Sequence, residues 1–476
     1  MSAVGLLAAC GGGATPVASG SSAAASSAPT SSAAAATSAA ATAASTTAAS
    51  SAVSASSSAA GSVAAKGLVL DFWNPAGDTL GQKVLQGIVD KFNAQNSGFQ
   101  AKDSLVASDN NYQKYTAAMA GGAPPDAIMT YDYTPMPVWA YNDALLSLDA
   151  YAAEMKIDKN DYFPIIWPMI SLNGHLWGFM QEFDSGILGW NKDLFAKSGL
   201  DATKPPQTIA EFDDMNTKLT QKDASGAITQ LGMAPGDSNG GSDTYFAAEF
   251  GGGYYDTLKA QFTITQEPNI AALDWMAGWW KKLGGRTAIA NFKKIFTQQN
   301  DQIGFTQGRQ GMMIMGEYSP IVYKKEFPEL NFSAAYLPVQ TGVLYGTGIA
   351  GGGNVFVVPK GVAHARESIL FLKYMGGPDA VLEWNVKENN LPPVKSVAFD
   401  PNFAKQVPLM QPWLDMLKLS EQDNHLVGPI THPSVQDFNK LKSPIVANIL
   451  DGKIGAREGL QQLQQQFQPV LDKYNK

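Results

Sequence analysis

The chain has 476 residues, 45% hydrophobic and 16% charged, which is enough to bury a large core in two lobes or more. Its net charge of −8, without any long Lys/Arg block, excludes an electrostatic nucleic-acid footprint. A single cysteine excludes an internal disulfide, and the scattered histidines (His175, His364, His425, His432) form no cluster at zinc-ligand spacing, so neither a structural metal nor a cofactor is expected.

The lone thiol, Cys10, ends a short apolar run, AVGLLAAC. Leu7-Ala8-Ala9-Cys10-Gly11 resembles the bacterial lipobox, which implies that residues 1–10 are part of a lipoprotein signal and that Cys10 carries lipid. The segment lacks the positively charged start of a signal peptide, which places the true start upstream. From 11 to 66 the chain is almost wholly Ala, Ser, Thr and Gly. Such a stretch buries too little apolar surface to offset its ordering entropy, so it reads as a low-complexity tether. No run of about 18 apolar residues follows, so no membrane span is expected.

Order is expected from Gly67. LVLDFW (68–73) is a short apolar strand, and NPAGDTLG is a turn that carries Asp78. QKVLQGIVDKFNAQN then sets Val84, Leu85, Ile88, Val89 and Phe92 on one helical face. SGFQAKDSLV reads as a second strand, NYQKYTAAMAGG as a second helix and PPDAIMTYDY as a third strand. This alternation is that of a parallel sheet with helices on its faces. Ligands of open sheets sit beyond the carboxyl ends of the strands, here the loops that begin at Trp73 and Tyr131.

Taken in order, FWNPAG, DKFNAQNSG, AGGAPPDAIMTYDY, NGHLWGFMQEFDSGILGWNKDLFAKSGL, FTQGRQGMMIMGEYSP, AGGGNVFVVPKG and LPPVKS resemble the extracellular solute-binding proteins of carbohydrate ABC importers, the maltose-binding-protein-like family. The resemblance runs from about Leu68 to the C-terminus. Its most specific piece is residues 190–212, where an Asn-Lys-Asp-Leu-Phe helix start precedes a Pro-Pro loop and a new helix cap at Thr208. It implies a two-lobed α/β, periplasmic-binding-protein-like fold, with a hinge and a ligand cleft between the lobes. The implied first lobe is 67–180 with 354–391, and the second is 184–345 with 392–476. Crossovers are expected at 178–185 and 346–355, where Gly351-Gly352-Gly353 is either a hinge or a plain turn.

Binding a neutral sugar needs flat apolar faces for its C–H surface and fixed polar groups for its hydroxyls. The candidates are Trp73, Asn74 and Asp78 after the first strand, Tyr131, Asp132 and Tyr133 after the third, and Asp184 beside Glu182 at the first crossover. Gly352 and Gly353 come from the second crossover. The second lobe offers Asp243, Glu317, Tyr318 and His432, with Phe438 close in sequence to the last. Gly316-Glu317-Tyr318 falls where the family often has Gly-Pro-Trp, so a tyrosine stands in the stacking position. Trp73 either faces ligand or packs between strand and helix. Asp184, between Phe183 and Ser185, is costly to bury without a hydrogen bond, which a sugar hydroxyl or a backbone N–H could supply. Trp384 and at least one of Trp275, Trp279 and Trp280 read as core, as do Leu460, Leu463, Phe467 and Leu471 of the last helix.

The resemblance implies a monomeric, non-enzymatic receptor, lipid-anchored outside the cytoplasmic membrane, that passes a sugar to the membrane subunits of an ABC permease. A glycoside hydrolase would need two carboxylates flanking the scissile bond, whereas Glu182 and Asp184 lie two apart in a predicted strand and share one side. A cationic amino sugar or polyamine is the other reading of the ligand, since Asp132, Asp184 and Glu317 could together pair an ammonium.

Overall fold

The computed structural model describes residues 67–76, 79–106, 111–152, 154–237, 243–296, 303–342, 348–350, 352–423 and 426–474. Cys10, the tether and Asp78 lie outside the described residues.

Two five-stranded sheets organise the chain. In the first, Val69–Asn74 lies between Gln100–Leu105 and Ala127–Thr130, parallel to both. Val355–Val357 then joins antiparallel to Ala127–Thr130 and carries Gly178–Met180 on its far edge. Val69–Asn74 alternates because one face meets the helices Thr79–Gln95 and Ala365–Met375. Leu70 and Phe72 are fully buried there, and Phe72 sets its edge against Phe371 at 5.1 Å.

The second sheet is built on Ser185–Asn191, every residue of which is buried. Met312–Gly316 pairs along one side of it, and Phe332–Ala335 and Gly348–Ala350 share the other. Gly348–Ala350 in turn pairs parallel with Leu426–Val427. Period-two alternation splits this sheet between two cores. Leu188, Trp190 and Met312 face a core with Phe212, Trp279, Trp280, Phe438 and Phe467. Ile187, Met313 and Met315 face the core that also holds the first sheet. Burying both faces is what an uninterrupted apolar strand is suited to.

The helix starts read from the sequence have their capping bonds. Asn191 Oδ1 accepts from Leu194 N–H at 3.0 Å, and Thr208 and Glu211 form a reciprocal capping box. One boundary needs correction. Residues 392–476 were expected with the second lobe, yet Val394, Val397, Phe403, Met410, Trp413 and Leu417 bury in the first core. Only the helices Val435–Leu450 and Ala456–Tyr474 pack into the second. The reason is local: Trp413 reaches the start of the second sheet and donates its indole N–H to Ser185 O at 2.9 Å, which seats its helix under the crossing.

Residues 181–184 and 352–354 run between the sheets side by side in opposite directions. Gln181 N–H donates to Asn354 O at 3.0 Å, and Asp184 N–H donates to Gly352 O at 3.2 Å. Contact is tight enough to demand glycine at 353. A Cβ on Gly353, whose φ is +145°, would lie 2.4 Å from Glu182 O, and one on Gly352 would lie 2.5 Å from Asp184 Oδ2. We expect Gly353→Ala to cost about 2 kcal/mol or more from backbone strain and this clash, measured by denaturant unfolding. A loss under about 0.5 kcal/mol, the range of an unremarkable surface change, would contradict the close approach.

Candidate functional site

The crossing brings three carboxyl groups together. Glu182 and Asp184 lie two apart in extended backbone and so project to one side. Glu317 arrives from the end of the Met312–Gly316 strand, and one oxygen from each residue lies within 4.8 Å of the others. Glu182 Oε1 accepts from Asn354 N–H at 2.9 Å and Glu317 Oε2 from Ser185 N–H at 3.0 Å, so both bind the crossing backbone. Glu182 and Glu317 are buried, whereas Asp184 reaches solvent. Burial pushes the carboxyls of Glu182 and Glu317 well above their ordinary range, and the charge of Asp184 adds to both. Asp184 is crowded by protein despite its access to water, and loss of hydration pushes its carboxyl up to about 6. Tyr245 lies against this cluster: a Cβ on Gly186 would meet its hydroxyl at 2.7 Å. Burial, then the charges of Glu317 and Asp184, drives its phenol upward.

Beside the crossing a cavity of about 170 Å³ opens between the lobes. Tyr133 lines it from the first lobe, and Tyr245, Tyr254, Tyr255, Pro429, Ile430 and Lys442 line it from the second. The Tyr133 hydroxyl spans the cleft and donates to Ile430 O at 3.1 Å. Lys442, nearly buried, places its ammonium 3.0 Å from Asp243 Oδ2 and 4.8 Å from the centre of the Tyr254 ring. Tyr318 folds over Gly316, where a Cβ would lie 2.8 Å from its ring, and remains 43% exposed.

The structure separates the sequence candidates. Tyr133, Asp184, Glu317, Tyr318 and Gly352 gather at the cleft and the crossing; Tyr131 and Asp132 follow the third strand nearby, where the charge of Asp132 acts on Asp184. Asp132 also caps its own turn through the Thr134 N–H at 3.0 Å. Four candidates are engaged elsewhere. Asn74 is fully buried, donating its amide to Asp103 Oδ1 and accepting from Ala76 N–H at 2.9 Å, because a buried amide must satisfy both ends. Trp73 packs 6.1 Å from Tyr115 and donates to Asp71 Oδ2 at 2.7 Å. Asp243 is the partner of Lys442. His432 accepts from Ser434 N–H at 3.2 Å and lies edge-on between Phe262 and Tyr474, each 5.5 Å away, where burial lowers its pKa; Phe438 is core.

Sequence reasoning missed Tyr254 and Tyr255, which follow a glycine run with no periodic signal. It also missed Lys442, for which there was a signal. Lys442 falls on the stripe of Val435, Phe438, Ile445 and Ile449 that buries the helix, and a cation there requires a buried carboxylate.

Two α/β lobes, joined by paired crossing strands beside a tyrosine-lined cavity, define the class of hinged solute-binding proteins. The chain belongs to the bacterial extracellular solute-binding protein family, which residues 76–382 match; its location is extracytoplasmic. It is 22% identical over 348 residues to the sn-glycerol-3-phosphate-binding periplasmic protein UgpB of Escherichia coli K12, covering 70% of this chain and 75% of that one. Among solved structures it resembles CpMnBP1 with mannotriose bound, at 24% identity, TM-score 0.70, and coverage of 83% of this chain and 99% of that one. It also resembles the sugar-binding protein MalE of Xanthomonas citri, at 20% identity, TM-score 0.70, and coverage of 86% and 98%. No helix among the described residues is long and apolar enough to cross a membrane.

Asp103, the partner of Asn74, gives a pH test of this wall of the first lobe. Burial, then the charge of Asp90, pushes its carboxyl up to about 6. A folded value above the unfolded value of about 4 means that the stability it lends is complete below pH 4 and is lost as pH rises through 6. Asp103→Asn should therefore raise Tm relative to the parent at pH 7.5, with the difference shrinking toward pH 4. A difference independent of pH would contradict the assignment.

Proposed function

We propose that the protein captures a sugar or short oligosaccharide between its lobes and presents it to the membrane subunits of an ABC importer. The observation that carries this reading is the interlobe cavity: tyrosines from both lobes wall it, Asp184 lies at the crossing beside it, and its lining cation, Lys442, is already neutralised by Asp243. Aromatic faces suit the C–H surface of a pyranose and hydroxyl and carboxylate oxygens suit its hydroxyls. A phosphate ester, which the UgpB relative is named for binding, needs a counter-charge that Lys442 has already given to Asp243. The structural neighbour with mannotriose bound supports a saccharide as the class. Tyr131, Asp132, Tyr133, Asp184, Tyr318 and Gly352, with Tyr245 and Tyr255, are the residues we assign to ligand.

A hydrolytic role is less well supported. Glu182 and Glu317 are buried and held by backbone N–H groups, so neither faces a glycosidic bond across from Asp184. Closure follows from ligand touching both lobes, since a ligand shifts the open–closed balance only through tighter binding to one state.

Thermal unfolding of the chain against mono-, di- and trisaccharides tests the reading. A saccharide at 100 times its Kd should add about 2.7 kcal/mol of stability, and Asp184→Asn or Tyr255→Ala should weaken its binding at least tenfold, by more than about 1.4 kcal/mol. Absence of any saccharide shift, or products detected by chromatography, would refute it. We also propose that lipid on Cys10 anchors the chain to the outer face of the membrane through the 11–66 tether. Fatty-acid labelling in a bacterial host should then be lost in Cys10→Ser, and labelling that survives this change would remove the anchor assignment.

A further inference from the structure

The carboxylates at the crossing have a use beyond holding backbone. Glu182 spends Oε1 on Asn354 N–H and Glu317 spends Oε2 on Ser185 N–H. Their other oxygens, Glu182 Oε2 and Glu317 Oε1, are buried and meet no protein N–H, and the Asp184 carboxyl lies against both side chains. Asp184 completes the group, and no Lys, Arg or His among the described residues forms an ion pair with any of the three. Carboxyl groups buried in this way are costly unless they hold protons or a cation lies between them, and a cation that binds them displaces those protons.

We propose that a divalent cation of the oxygen-seeking class, calcium foremost, binds between Glu182, Asp184 and Glu317 and ties the first crossing segment to the second lobe. Three observations converge. The donor set is all carboxylate, which selects calcium, magnesium or manganese over zinc or copper. Oxygens held by one calcium ion at roughly 2.3–2.6 Å can be no more than about 5 Å apart, and all three pairs fall inside that limit at 4.8 Å. Glu182 Oε2 and Glu317 Oε1 are buried and have no protein N–H to satisfy them, which leaves both available as ligand atoms. Asp184, open to solvent, provides the entry and the side on which water completes the shell. Calcium tolerates irregular shells of six to eight oxygens, as this one would be, better than magnesium does.

The site does not depend on the saccharide reading, and its test contains no sugar. The full chain, dialysed against EDTA and returned to chelator-free buffer at pH 7.5, is titrated with calcium chloride by calorimetry and by thermal unfolding, with magnesium chloride, spermidine and glucosamine in parallel. The expected result is saturable one-to-one calcium binding with a Kd between about 10⁻⁵ and 10⁻³ M and a rise in Tm. Binding should weaken at least tenfold in Glu182→Gln and in Glu317→Gln, each of which keeps an oxygen to accept its backbone N–H. Asp184→Asn, at a solvent-facing position, supplies a third variant whose folding is least at risk. Absence of calcium heat and of any Tm rise in the parent overturns the proposal. So does a calcium effect unchanged in all three variants, which would place the ion elsewhere. A rise with spermidine or glucosamine and none with metals also overturns it, assigning the cluster to a ligand's ammonium.

Discussion

Everything at the cleft depends on two strands passing each other between the sheets at backbone contact distance. Residues 181–184 leave the first sheet for the second while 352–354 return, and the hydrogen bonds Gln181 to Asn354 and Asp184 to Gly352 hold them as one short ribbon. A ribbon this narrow excludes a side chain where backbone meets backbone, hence glycine at 353. It also strips water from the side chains that remain, which is why Glu182 and Glu317 must take backbone N–H groups as partners. The same residues thereby set both how the lobes are joined and what polar surface meets the cavity.

The layers around the ribbon make its position firm. Ser185–Asn191 continues directly from it and is buried on both faces, with Trp190 in one core and Ile187 in the other. Trp413 braces Ser185 from below, and the helix that carries it belongs to the core of the first lobe. Contacts that join the lobes at the rim include the Tyr133 hydroxyl on Ile430, and Tyr141 against Tyr474 at 4.9 Å. A few rim contacts of this kind, each a single hydrogen bond or ring pair, are of the size a bound ligand can outweigh.

Around the cavity and the crossing beside it, charge is neutralised unevenly. Lys442 and Asp243 cancel in place over the Tyr254 ring, whereas the carboxyls at the crossing do not cancel. An anion brought beside the crossing would add to the repulsion that helps hold those carboxyls above their ordinary range.

The alternation of apolar runs in Leu68–Tyr133 was enough to read strand, helix and strand, because a parallel sheet buries both faces of its strands and its helices need one apolar stripe. Asn191 and Thr208 announced their helices through local side-chain chemistry that tertiary context did not alter. The crossing glycines and Asp184 were legible for a similar reason, each being a residue type with few uses in an apolar segment. Asn74 and His432 were not, because whether an amide or imidazole meets ligand or protein depends on neighbours far away in sequence: Asp103 for one, Phe262 and Tyr474 for the other. Nor could pattern assign residues 394–417, whose apolar faces would suit either core. The sequence by itself determined the α/β alternation, and its resemblance to a known family supplied the two-lobed class. Only the tertiary structure decided which polar groups the carboxylates at the crossing, Lys442 and Asn74 would answer to, because pairing between distant residues is settled by packing and leaves no periodic trace in the chain.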